Sequence, residues 1–218
     1  REAELAHDKK MLKAAAATKK TELDLIRKVD HLVVISDREK EFITAEIGNS
    51  TPISSFTCLY SKCVERPQPF ENRTGVIFIG VFGHRPNVDA VLWFAKEVWP
   101  LVREHAPDML FHVVGNYAPP EIQELHGKDG IIIEGFVENL DPLLSSFRIA
   151  VAPLRYGAGI KGKIGTTMGA GIPNVCTSIA TEGMGIHAGE QALVADEPAG
   201  FAAAVLQLHA DPELWKKL

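Results

Sequence analysis

From Gly75 to the C-terminus, short apolar runs rich in β-branched residues alternate with helix-like segments about every 20 residues. The runs lie at 76–81, 109–114, 130–134, 149–154, 174–178 and 192–195. After the first, Pro86 and Asn87 open a segment in which Val88, Leu92, Ala95, Trp99 and Val102 recur at spacings of 4, 3, 4 and 3. That spacing is one face of an α-helix. Shorter helices are expected at 120–125, at 141–147 with Pro142 at the favoured first position, at 163–170 and at 198–209. Such alternation predicts an α/β fold: a doubly wound, Rossmann-like parallel sheet whose ligands sit at the carboxyl ends of the strands. Glycines crowd several of those ends: Gly80 and Gly83, Gly115, Gly135, and Gly157 with Gly159.

The chain before Gly75 reads differently. Residues 1–28 are charge-dense and helix-friendly, with four consecutive alanines and no clean apolar stripe. A short strand is expected at 31–36 and a second short helix at 37–47. Residues 48–74 carry Ser, Thr, Asn and three prolines, the composition of a connection. The expected organisation is therefore 1–48 as the end of one domain, 49–74 as a linker, and 75–218 as the Rossmann-like domain. An opening without methionine and an ending inside a helix read as a piece of a longer protein.

The densest cluster of glycines is 156–185, YGAGIKGKIGTTMGAGIPNVCTSIATEGMG. Glycine after a strand lets the backbone approach a ligand closely, and a following helix N-terminus with nearby cations suits an anion. Lys161 and Lys163 are the cations, and lysine neutralises phosphate oxygens as a point charge. Most single lysines are merely solvated; their place in a glycine-rich turn is what raises these two. His84 and Arg85, after Gly83 on the first strand-to-helix turn, face the same predicted sheet edge. Residues 157–162 also match G-x-G-x-x-G, with Glu182 twenty residues on, at the end of the next strand. A dinucleotide site is thus conceivable, although that fingerprint belongs on the first βα turn rather than the fourth strand. A P-loop is excluded because Ile164 follows Gly162-Lys163.

Composition excludes several other classes. A net charge of −5 without a basic stripe argues against nucleic acid. Three cysteines make neither a disulfide framework nor a zinc site, so all are expected as reduced thiols. No H-E-x-x-H or G-x-S-x-G occurs, no metal site is indicated, and no apolar run reaches membrane-spanning length.

Five segments together resemble the C-terminal domain of a GT-B glycosyltransferase of the large retaining "group 1" family: 78–100, 113–116, 131–144, 149–164 and 169–184. Residues 1–47 are similar to the last helix and strand of that family's N-terminal domain. The resemblance implies a nucleotide-diphosphate sugar bound at the strand ends, no metal ion or other cofactor, and catalysis in a cleft completed by a missing N-terminal domain. It implies Gly83 and Arg85 near the phosphates, with His84 beside them, and Gly135, Phe136 and Val137 at the base. Lys161 would neutralise the departing diphosphate, with Lys163 close by, and Gly157, Ala158, Gly159 and Ile160 would form the loop around it. Glu182 would face the cleft. The acceptor would be a glycan or a lipid-linked acceptor, and the setting cytoplasmic, or peripheral to the inner face of a membrane in the longer protein. Two positions depart from the family's pattern: Ala158 and Thr166 stand where it commonly has glutamates. A threonine hydroxyl accepts a ribose hydrogen bond more weakly than a carboxylate. Two other readings stay open: a non-catalytic GT-B-like binding module with an eroded site, and a dinucleotide-dependent oxidoreductase.

Overall fold

The computed structural model of the protein describes residues 9–56 and 63–218. They fall into two compact units. The first is built from the chain up to residue 56, joined by Tyr156–Ile160 and Glu182–Met184; the second takes the remainder.

In the first unit, helix α1 (Lys9–Ile26) is followed by strand β1 (Leu32–Val34), helix α2 (Asp37–Ile47) and strand β2 (Ile53–Ser55). No side chain of α1 is buried, as its missing apolar stripe requires. Helix α2 starts at the N-cap Ser36, and Glu39 reaches back past it to the preceding residue. Ser36 Oγ accepts from Glu39 N, and Glu39 Oε2 accepts from Ile35 N, both at 3.1 Å. β1 and β2 pair in parallel, Leu32 opposite Ile53. The stretch at 49–74, read as pure connection, therefore contains a strand: Ile53 and the small Ser residues complete a ladder that composition alone hides. Cys58 lies outside the described residues.

The second unit is a six-stranded parallel sheet. Its strands are β3 (Thr74–Ile79), β4 (Phe111–Val114), β5 (Ile131–Gly135), β6 (Phe147–Ala152), β7 (Asn174–Cys176) and β8 (Leu193–Val194). They lie in the order β5-β4-β3-β6-β7-β8. The winding reverses between β3 and β6, the place where ligands of such sheets collect. Val76, Ile77 and Phe78 of the central strand are fully buried, because helices cover both faces. Each such aliphatic or aromatic side chain contributes about 1.5–3 kcal/mol.

The long helix after β3 arrives in three pieces: α3 (Arg85–Trp93), a π-helical turn (Phe94–Val98) and α4 (Trp99–His105). Pro100 lacks the N–H that a regular i→i−4 ladder needs, and the widened turn precedes it. Of the predicted face, Val88, Trp99 and Val102 are buried and Leu92 and Ala95 half-buried, while Val91, Phe94 and Val98 are buried beside them. The remaining helices are α5 (Pro120–Gln123), α6 (Leu140–Leu144), α7 (Gly162–Gly169), α8 (Ser178–Thr181), α9 (Pro198–Ala210) and α10 (Pro212–Lys217). α6 stops three residues before the expected end at Phe147. Phe147 instead begins β6, paired opposite Thr74 of β3.

Arg73 carries a structural role that the sequence did not advertise. It is 1% exposed and has no carboxylate partner among the described residues. Its guanidinium donates to the carbonyls of Gln68 (2.8 Å), Phe147 (3.1 Å) and Ala170 (3.0 Å), tying α7's C-terminal end to the sheet. Burial lowers its pKa from the ordinary arginine range.

Candidate functional site

At the carboxyl ends of β3, β4 and β5 the second unit encloses a cavity of about 370 Å³. Its walls come from four connections. β3 supplies Ile79 and Gly80 and runs on to His84; β4 ends in Gly115 and Asn116; the turn after β5 brings Phe136 and Val137; α7 adds Lys163 and Thr166. The strand ends can meet this closely because two of them are glycine. A Cβ on Gly115 would stand 1.7 Å from the Gly80 carbonyl oxygen, and one on Gly80 would stand 2.8 Å from the Phe78 ring.

Lys163 dominates the cavity electrostatically. Its Nζ donates to Asn87 Oδ1 at 2.5 Å and lies 4.2 Å from the centroid of the Phe78 ring. Asn87 is itself buried and pinned, donating through Nδ2 to the Val81 carbonyl at 2.8 Å. Burial, then the nearby Lys161 charge, push the Lys163 amine down to about 7. α7 begins at Gly162 with no side-chain cap; the Ile164 amide donates to the Lys161 carbonyl at 3.0 Å, which leaves the Gly162 and Lys163 amides as the ones an anion could meet. Thr166 is exposed and gives its hydroxyl proton back to the Gly162 carbonyl at 3.1 Å. Asn116 Oδ1 is buried without a hydrogen-bond partner. Phe136 is 71% exposed at the rim.

The sequence-predicted residues divide. His84, Phe136, Val137, Lys163 and Thr166 share this cavity. Gly157, Ala158, Gly159 and Glu182 line a different one, of about 470 Å³, within the first unit. There Glu182 lies 3.7 Å from Arg38 Nε, and Arg38 stacks on Phe42 at 4.3 Å. Gly83, Arg85, Gly135, Ile160 and Lys161 line neither. Gly83 and Arg85 are exposed on the β3–α3 turn. Gly135 ends β5 with φ +72°, and Ile160 belongs to the first unit. Lys161, read as a solvated or ligand-facing cation, is 7% exposed and engaged within the fold. Glu182 follows α8 instead of closing a strand, since β7 ends at Cys176.

Asn87, Asp89 and Asn116 were not singled out by sequence reasoning. Asn87 was legible only as a helix start after Pro86. Asp89 engages Arg155 in a two-pronged ion pair, Nε to Oδ2 at 2.9 Å, that fastens α3 to the segment leaving β6. Among the described residues no group of three or more His, Cys, Asp or Glu could hold a metal ion. Among them, too, no helix is long and apolar enough to cross a membrane.

A parallel sheet of this winding, with a cavity at the carboxyl ends of its strands and a lysine inside, defines a Rossmann-like domain. Residues 73–211 match the family described as "Glycosyl transferases group 1", and the chain belongs to that family. A Klebsiella pneumoniae protein, an "uncharacterized 44.6 kDa protein in cps region", is 29% identical over 139 residues, covering 60% of this chain and 36% of the relative. Among the solved structures similar in fold are a staphylococcal and a pneumococcal protein. S. aureus TarM, solved with UDP, alpha-GlcNAc-glycerol and Fondaparinux, superposes with a TM-score of 0.75 at 15% identity, over 92% of this chain and 41% of its own. The pneumococcal O-GlcNAc transferase GtfA, solved with UDP and GlcNAc, gives 0.67 at 16% identity, over 86% and 40%. The chain thus spans about two-fifths of the length of these proteins.

Proposed function

We propose that this chain is the donor-binding half of a glycosyltransferase that moves a sugar from a nucleoside-diphosphate sugar to a glycan or lipid-linked acceptor. The observation that carries the reading is the convergence of Lys163, Thr166, His84 and the Phe136–Val137 backbone on one switch-point cavity. The base would lie against Phe136 and Val137, the ribose near Thr166, and the diphosphate between Lys163 and the first turn of α7. In that arrangement Lys163 stabilises the negative charge that develops as the diphosphate leaves, in a site partly shielded from water. Lysine charge then does the work without a metal ion, and the outcome is retention, as the family resemblance implies. Lys161, Arg85 and Gly83 would act from the surrounding turns. Acceptor recognition would belong to an N-terminal domain outside this chain, and the relative from a cps region supports a part in polysaccharide synthesis; the cytoplasmic or membrane-peripheral setting is what the family resemblance implies.

A second reading is favoured by Thr166, whose hydroxyl proton is already spent on its own helix. In it the domain keeps the fold as a binding module with a weakened nucleotide site.

A thermal-shift series with UDP, GDP, ADP and NAD tests both. A ligand that binds only the folded state raises the midpoint, by an amount that grows with concentration. A rise with one nucleoside diphosphate and none with NAD is expected. No rise at millimolar levels with any of them overturns the donor-binding reading, and a rise with NAD alone returns the dinucleotide reading.

A further inference from the structure

We propose that Asn87 is a positioning residue: it holds the Lys163 amine in the switch-point cavity with no carboxylate beside it among the described residues, so that the amine pairs with a diphosphate and takes up a proton as that diphosphate binds. The inference deepens the donor-site reading above and rests on it.

The geometry is specific. Asn87 is fixed by its own bond to the Val81 carbonyl, so the amide can turn only its oxygen toward Lys163. The Phe78 ring closes the other side of the ammonium. Gly80 keeps both partners in reach, since a Cβ there would lie 3.0 Å from Asn87 Cγ and 2.8 Å from Phe78. An amide oxygen and a ring face orient an ammonium without neutralising it, whereas a carboxylate would hold it charged at every ordinary pH.

The charged and titratable groups around it do not supply that carboxylate. Lys161, from the turn before α7, acts against the charge. His84 lines the same cavity, and Arg85 stands exposed on the first turn of α3. Asp89 of α3 is taken by Arg155. Glu138 and Asp141, beyond Val137, are exposed and do not figure among the influences on the Lys163 amine. A diphosphate entering the cavity therefore meets an amine that is half deprotonated near pH 7 and becomes its counter-ion. The free site binds the proton more weakly than the occupied one. Affinity then falls as pH rises above 7, by up to about tenfold per unit, until the pKa of the occupied site is reached.

The test is calorimetric titration of this chain with UDP and, separately, with inorganic diphosphate, at pH 7 to 9 in buffers of differing ionisation enthalpy. The parent is expected to take up close to one proton per ligand at pH 8 and to lose affinity steeply across the range. Lys163→Gln should bind more weakly at pH 7 with no proton uptake. Asn87→Asp, whose carboxylate would keep the amine charged, should flatten the dependence up to pH 9 while Lys163 stays in place. Circular dichroism checks that each variant is folded; if Asn87→Asp is not, Lys163→Gln alone decides whether the proton goes to this amine. Parent-like proton uptake in Lys163→Gln, or a parent-like pH slope in folded Asn87→Asp, overturns the proposal. Binding of inorganic diphosphate with proton uptake but of no nucleotide would overturn the donor reading and leave this one standing. Binding of neither overturns both.

Discussion

Two residues of α7 decide what the cavity can hold, and both invite substitution. Thr166 stands near the expected ribose with only a hydroxyl, and that hydroxyl's proton goes to Gly162. Thr166→Glu should raise affinity for the preferred nucleoside diphosphate by about tenfold, one charge-assisted hydrogen bond being worth roughly 1.5 kcal/mol or more. Titration calorimetry reads it; unchanged affinity would place the ribose elsewhere. Lys163 also bears on stability. Its ordinary value is 10.5, and in the fold it is lowered to about 7. Between those values the unfolded chain binds more protons, so stability rises with pH through that window, and the full cost of burying the charge is felt below pH 7. Lys163→Met should therefore be more stable than the parent at pH 6, with the advantage shrinking toward pH 10, as measured by urea midpoints. Sequence singled out Lys163 through the glycine-rich pattern around it, and Thr166 through the family resemblance, as a position where that family commonly has a glutamate. The resemblance gave the diphosphate to Lys161 with Lys163 close by; in the fold Lys161 is 7% exposed and Lys163 lines the cavity, because two residues' difference at the start of a helix sends the side chains to different surroundings.

At the scale of elements, the parallel strands were legible because helices on both faces force them to be continuously apolar. Their ends were less so. Phe147 looked like the last turn of a helix, and only its place beside Thr74 makes it the first residue of β6. Ile53–Ser55 looked like linker, because a three-residue strand with two serines carries no hydrophobic signal until its partner is in place. Arg73 joins elements that propensity says nothing about. Arg73→Met keeps the apolar bulk over Trp215 but strips a charged donor from the carbonyls of Gln68, Phe147 and Ala170. It should lower unfolding free energy by about 2–4 kcal/mol, the cost of orphaned buried acceptors, visible as a shift of the urea midpoint with little change in slope.

For the whole molecule, Cys176 offers an internal reporter. It is fully buried on β7, and burial pushes its thiol up to about 12, whereas Cys63 is exposed and both are free. In a chain carrying Cys58→Ser and Cys63→Ser, a thiol reagent should label Cys176 only as fast as the sheet opens. Adding a nucleoside diphosphate that binds should slow labelling in proportion to its occupancy. Labelling at the rate of a free thiol would show that the β7 side of the sheet opens locally.

The family of this protein was read from the resemblance of five segments of its chain; periodicity and residue chemistry determined its fold class and marked the glycine-rich stretch expected to suit a phosphate-bearing ligand. These follow from local rules: continuous apolar strands, helical spacing, and glycine where backbone must come close. Tertiary structure alone decided which residues share a cavity. Asn87 reaches Lys163 across 76 positions, and Asp89 reaches Arg155 across 66. Glu182 and the Gly157–Gly159 loop join the first unit instead of the switch-point cavity. Such contacts are set by strand order and helix packing, which bring distant segments together without leaving any periodic trace in the sequence.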